Sequence, residues 1–164
     1  MKTSAVGAVL AAALLAAGAQ GGEQGQSAAA QPGAAPAAQV ASGTGADGQA
    51  VFLRVCSTCH QRNALGLPGA FPPLAGSPFA NGEAERMIKI VLNGLQGPVE
   101  VKGQRFSNVM PPWKSLSDGE IAAVLTYVRG NFGNTAAPVT AEQVGQVRAA
   151  TASRTTMWTV AELH

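Results

Sequence analysis

The apolar positions of this chain fall into unlike blocks. Ala5 to Ala17 is a run of Ala, Val and Leu broken only by Gly7; Lys2 precedes it and the small residues Ala17-Gly18-Ala19 follow. A short positive lead, an apolar stretch too brief to span a bilayer comfortably and a small-residue site have the layout of a secretory signal peptide. Residues 1–19 are therefore expected to be cut after Ala19, with an uncleaved membrane anchor as the alternative. No Cys lies near that cut, which argues against lipid anchoring. From Gln20 to Ala46 no apolar face can be drawn. The stretch holds nine Ala, six Gly, five Gln and two Pro, and Val40 is its one large aliphatic. With nothing to offset the entropy of ordering, it reads as a flexible, disordered linker.

Helical spacing begins behind Asp47, a plausible N-cap, with Val51, Phe52 and Val55 on one face. It returns in Glu83 to Asn93, where Met87, Ile90 and Val91 form a stripe closed by Gly94. Ser117-Asp118-Gly119-Glu120 is a capping box ahead of Ile121, Val124, Leu125 and Val128, and Gly130 or Gly133 can end that helix. Thr140 and Gln143 form a second box before Val144 and Val147. Between these helices, Asn108 to Trp113 carries Pro111 and Pro112, which forbid helix at Met110 and leave a stiff loop after a strand-like stretch. The pattern divides the chain into 1–19 (signal), 20–46 (linker), 47–135 (folded, all-α domain) and 136–164 (a partly helical extension).

Composition changes the picture of the core. Of 164 residues, 46% are hydrophobic but only 5% aromatic; 32 are Ala, and 15 of these lie before Gln39. Alanine buries little area, so a folded domain of some 90 residues has a thin core that something other than side chains must complete. Charge excludes two classes. A net charge of +2 with 12% charged residues is far from a nucleic-acid binder, so no nucleic-acid partner is expected. It is also too little charge for a wholly disordered chain.

The candidate chemistry lies in Cys56-Ser57-Thr58-Cys59-His60, which contains both cysteines and one of the two histidines. A disulfide here would close a very small loop and stabilise little. A thioredoxin-like pair needs a βαβ setting that the pattern lacks. Zinc needs further ligands, and the other histidine is the terminal His164. C-x-x-C-H is the signature of covalent c-type haem. Two thiols one helical turn apart reach the two vinyl groups of one haem c, and the adjacent His60 takes the iron. Such a cofactor also supplies the missing core, and the export signal agrees with attachment outside the cytoplasm.

The second axial ligand separates an electron carrier from an open-site haem enzyme or gas binder. Candidates are Met87, Met110, Met157 and His164. Met87 sits on a helical stripe and reads as core; Met157 lies in a polar tail; His164 is the terminal residue. Met110, on an irregular but stiff loop, is the favoured ligand, against the plainer reading of a buried loop methionine. Ligation by His60 and Met110 raises the haem potential and blocks small ligands. Near this loop, Lys102, Arg105 and Lys114 either rim a docking patch or are ordinary solvated charges. Trp113 either hydrogen-bonds a haem propionate or packs.

From Asp47 to Gly133 the chain resembles a class I cytochrome c. Gly48-Gln49-Ala50-Val51-Phe52 resembles the family's G-x-x-x-F on the first helix, and Tyr127 fits the aromatic that meets it on the last helix. Pro72-Pro73-Leu74-Ala75-Gly76 resembles P-x-L-x-G. By that resemblance the Pro72 carbonyl accepts the hydrogen bond of the proximal imidazole and Leu74 packs on the haem. Pro68 to Gly76, Gly94 to Gly97, Val101 to Gly103 and Glu120 to Leu125 are similar in particular to the bacterial c-552-type electron donors of terminal oxidases. The resemblance implies the class I fold, helices packed around one haem c, with an extension over about Val139 to Ala152 wrapping back on the body. Trp158 either pins that tail or rides in solvent.

It also implies an electron carrier rather than an enzyme: an exported, periplasmic, monomeric protein of a respiratory chain. Its electrons would come from a dehydrogenase or membrane cytochrome complex and pass to a terminal oxidase, with the membrane met only through a partner or an uncleaved signal. The alternatives are a cytochrome c subunit of a periplasmic dehydrogenase, and a haem enzyme or gas binder such as a peroxidase.

Overall fold

Asp47 opens the fold as its sequence suggests. Its carboxylate accepts the N–H groups of Gln49 (2.9 Å) and Ala50 (3.3 Å), capping α1 (Gly48–Val51). The computed structural model describes residues 46–163, so the signal segment, the linker and His164 lie outside the described residues. After α1 the backbone does not keep the 3.6-residue period that Val51, Phe52 and Val55 suggest. Phe52–Cys56 is a π-helical turn, followed by α2 (Ser57–His60). The wider turn has a packing consequence: Val51 and Phe52 are buried in the core, while Val55 and Cys56 line a neighbouring cavity.

α1 can lie against α5 (Asp118–Gly130) because residue 48 is glycine. A Cβ there would stand 2.7 Å from the Ala123 carbonyl carbon and 2.9 Å from the Tyr127 Cβ. Just beyond this crossing, Phe52 meets Tyr127 at 5.7 Å between ring centroids and Phe132 at 5.2 Å, and Tyr127 meets Phe132 edge-on at 5.5 Å. Tyr127 thus fills the place expected of it; Phe132 is an addition that helical spacing does not reveal. The expected capping box of α5 is present, with Ser117 and Glu120 each closing on the other's backbone.

Between α2 and α5 lie α3 (Pro78–Asn81), capped by Ser77, and α4 (Ala84–Asn93), which ends at Gly94 with φ of 81°. The strand-like stretch before Met110 is a small antiparallel hairpin, β1 (Val99–Val101) with β2 (Gln104–Phe106), Val99 opposite Phe106. Lys102 and Gly103 turn it, both at positive φ. This hairpin is the only ladder among the described residues, so the helices carry the fold as an all-α reading requires. The core joins Phe52, Ile88, Leu92, Ile121, Leu125 and Val144.

The chain then returns over its own body. α6 (Ala141–Ala150) opens with the expected Thr140–Gln143 box and buries Val144 and Val147. The tail beyond it is pinned: Gln96 N–H donates to Trp158 O (2.8 Å) and Trp158 N–H to Gly94 O (3.0 Å). None of the helices among the described residues is long and apolar enough to cross a membrane.

Candidate haem site

The cysteine segment is held from both ends. Upstream, α1 is locked to α5; downstream, Gln61 takes φ of 63° and ends α2 directly after His60. His60 is buried at 8% exposure. Its Nδ1 lies 2.9 Å from the Pro72 carbonyl oxygen, which can only accept, so Nδ1 carries the proton and donates it. The other ring nitrogen, Nε2, keeps a free lone pair, the state of a metal-binding imidazole. Burial lowers the imidazole pKa and favours the neutral ring, against the smaller opposing pull of the Pro72 contact.

The loop carrying Pro72 folds tightly on that histidine. Gly66 N–H donates to His60 O (2.9 Å), and a Cβ on Gly66 would meet Pro72 C at 2.7 Å. Leu67 and Phe71 exchange backbone hydrogen bonds, while Ala64 O accepts from Leu74 N–H (2.8 Å) and Ala75 N–H (3.0 Å). The sequence motif around Pro72 and Leu74 is therefore a rigid shelf facing α2.

Two cavities share walls beside this shelf. Cys56, His60, Pro72 and Met110 line both; Leu74 lines the first and Cys59 the second. The remaining walls are mostly apolar side chains such as Val55, Leu95 and Val124, with Ser77 in the first cavity and Asn108 in the second. Burial, helped by Cys59, pushes the Cys56 thiol up to about 11. A redox-active thiol pair needs the opposite, a depressed pKa that favours thiolate, so the environment argues against thioredoxin-like chemistry. Among the described residues no group of three or more His, Cys, Asp or Glu side chains is arranged to hold a metal ion.

Of the four ligand candidates, Met110 is held on the cavity wall by two backbone bonds with Leu95, each 2.9 Å. Met87 is buried in the core as expected, though it also touches the first cavity. Met157, in the polar tail, packs its side chain on Gly94, whose added Cβ would sit 2.9 Å from Met157 Cγ. The parallel pairing of Trp158 with Leu95 draws it there. Trp113 lines both cavities. Lys114 is an anchor, its ammonium donating to Arg154 O (3.0 Å), whereas Lys102 and Arg105 are exposed on the hairpin.

Periodicity missed a polar layer behind the chamber. Arg129, 5% exposed, donates to the carbonyl oxygens of Ala80 (3.0 Å), Gly82 (2.8 Å) and Ala137 (2.7 Å). Asn134 donates to Leu74 O (3.0 Å) and Val128 O (2.8 Å) and accepts from the Asn81 amide (2.7 Å). It thereby ties the Leu74 shelf to α5. The one available signal was Arg129 falling four residues after Leu125, on a buried stripe.

Residues 43–128 match the family profile described as cytochrome C oxidase, cbb3-type, subunit III. The chain belongs to this family and is a cytochrome c, an electron-carrier family whose cofactor is covalent haem c. Over 113 residues it is 42% identical to cytochrome c-552 of Thermus thermophilus, an alignment covering 63% of this chain and 86% of that one. It is 35% identical over 106 residues to the gluconate 2-dehydrogenase cytochrome c subunit of Pantoea cypripedii, covering 62% of this chain and 24% of that protein. A further relative, the cytochrome c subunit of a quinone alcohol dehydrogenase from Gluconobacter oxydans, is 31% identical over 110 residues, 65% of this chain and 23% of that one.

The residues fit that cofactor. Two thiols one turn apart, an imidazole with a free Nε2 and a thioether share the walls of one largely apolar chamber.

Proposed function

We propose that this chain is an exported monohaem electron carrier in which His60 and Met110 would hold the haem iron. Cys56 and Cys59 would supply the thioether links, the Pro72 carbonyl orients the His60 ring, and Leu74 would pack against the haem. The observation that carries the reading is the His60–Pro72 hydrogen bond at the wall of a chamber that Met110 also lines. When bound, haem iron supplies reversible one-electron exchange.

Every other task falls to the chain. Pro72 fixes the His60 tautomer, so the ring presents Nε2 in either redox state. Val55, Leu95 and Val124 exclude water, which limits solvent rearrangement when charge changes. The stiff loop at Pro111 and Pro112 presents Met110, closing the site to small ligands. We infer residence in the periplasm from the signal-like residues 1–19, and delivery of electrons to a terminal oxidase from the likeness to cytochrome c-552.

The test is the absorption spectrum of the oxidised full-length protein. A sulfur-to-iron charge-transfer band, lost in Met110→Ala, is the expected result. A high-spin spectrum with rapid cyanide or carbon monoxide binding in the native protein overturns the reading in favour of an open-site enzyme or gas binder. A second reading, a cytochrome subunit of a dehydrogenase complex, draws on the relatives named as such subunits. Co-purification with a dehydrogenase from the native source distinguishes it from a free carrier.

A further inference from the structure

We propose that the carboxyl-terminal extension is a brace that positions Met110, with Trp158 and Arg148 as its positioning residues; this rests on Met110 being the iron ligand. Three separate sets of contacts tie the extension to the loop that carries Met110. The first runs through Leu95. Met110 N–H donates to Leu95 O and Leu95 N–H to Met110 O, both at 2.9 Å. On its other edge the same stretch receives the tail, through Gln96 N–H to Trp158 O (2.8 Å) and Trp158 N–H to Gly94 O (3.0 Å). Leu95 is thus the middle of three short extended segments, with Met110 and Trp158 on the outside. The packing is close: a Cβ on Gly94 would stand 2.7 Å from Met110 O and 2.9 Å from Met157 Cγ.

The second set grips the far end of the loop. Arg148 of α6 donates to Lys114 O (2.9 Å) and Leu116 O (2.7 Å), and its Nε pairs with Asp118 at 2.7 Å. The third is Lys114, whose ammonium donates to Arg154 O at 3.0 Å. The tail making these contacts is itself stiff. The Arg154 guanidinium lies 3.5 Å over the Trp158 ring and donates to Met157 O (3.1 Å) and the Glu162 carboxylate (2.7 Å).

The loop needs such support. Pro111 and Pro112 donate no backbone hydrogen bonds, and the loop has no helix of its own. A neutral thioether is a weak donor, so its hold on a metal depends on how little the loop strays from the productive geometry. α6 and the tail supply that restraint at both ends.

The test uses full-length holoprotein well below its melting temperature. Trp158→Ala removes the ring that lies under Arg154, and Arg148→Met removes the donors to Lys114 O and Leu116 O; each is expected to weaken the sulfur-to-iron band and to raise the cyanide binding rate about tenfold, the factor that corresponds to losing about 1.4 kcal/mol of restraint. Arg148→Lys should recover part of both. Parental rates and an undiminished band in both variants, with Met110→Ala losing the band, refute the brace and leave the extension purely stabilising. If Met110→Ala instead leaves band and cyanide rate unchanged, the ligand assignment itself falls. Amide hydrogen exchange of the parent gives a reading that needs no variant. The Met110, Leu95 and Trp158 amides should share one protection factor, and Trp158 exchanging a hundredfold faster than Met110 overturns the proposal.

Discussion

Gly48→Ala is the sharpest stability prediction because the added atom meets backbone. The new Cβ would stand 2.7 Å from the Ala123 carbonyl carbon, and Tyr127 Cβ at 2.9 Å closes the other side. A carbonyl in the middle of α5 cannot rotate away, so α1 and α5 must separate. Separation by even half an ångström to an ångström forfeits a quarter to a half of the dispersion energy across the contact. The residues paying are among the best packed in the protein: Phe52 and Ile121 are fully buried and Val51 is 3% exposed. Overpacking of this kind costs about 3 kcal/mol, set against a helix-propensity gain of at most about 1 kcal/mol for replacing glycine. At about 4 °C per kcal/mol for a domain of this size, the melting temperature of the holoprotein should fall by about 8–12 °C. Gly130→Ala is the matched control, since nothing lies within 4 Å of its added Cβ. It should be neutral or slightly stabilising. A Gly48→Ala protein that melts within about 4 °C of the parent would show that α1 and α5 are not in backbone contact.

Other parts of the molecule make equally specific demands. Arg129→Met strips donors from the carbonyls of Ala80, Gly82 and Ala137 and should cost about 2–4 kcal/mol, read as a lower denaturant midpoint at unchanged slope; a loss below about 1 kcal/mol refutes the buried network. Asn134→Ala should cost about 2 kcal/mol and loosen the Leu74 shelf, seen as faster exchange of the Leu74 amide; an unchanged rate there contradicts the assigned role. Arg154 and Thr159 hold the Glu162 carboxyl down at about 2, from 4.5. A depressed carboxyl stabilises fully above its unfolded value and loses that contribution as pH falls through its folded one. The melting gap between parent and Glu162→Gln should therefore be full at neutral pH, shrink below about 4.5 and vanish near 2; a gap independent of pH removes the carboxylate from the tail's support.

The local readings that succeeded concern short-range chemistry. Asp47, Ser117 and Thr140 cap the helices they precede, because a capping residue acts within its own turn. Cys56, Cys59 and His60 share one turn by spacing alone. Pro72 and Met110 are far from them in sequence; the motif resemblance pointed to Pro72 and the proline-stiffened loop to Met110, and their hydrogen bonds explain the placement. Three features escaped. The π turn at Phe52–Cys56 leaves no periodic mark, because one widened turn is too brief to shift a pattern. Phe132 takes φ of 57° past the end of α5, where helical spacing no longer applies. Arg129 and Asn134 look like surface residues by type, and only tertiary contacts make carbonyl acceptors available to them.

The chamber explains why so few aromatics suffice. Its walls are mostly apolar side chains, Val55, Leu95 and Val124 among them, and in this family the group that completes such a thin core is haem c. Covalent attachment through Cys56 and Cys59 then serves folding as well as redox chemistry, because a tethered group cannot dissociate from the core it completes. The same reasoning places the demand for rigidity on the loops rather than the helices. Cys56 and His60 ride on elements locked to α5, whereas Met110 depends on Leu95, and Leu95 on the returning tail. Disturbance of the site should begin at Met110 and reach His60 last.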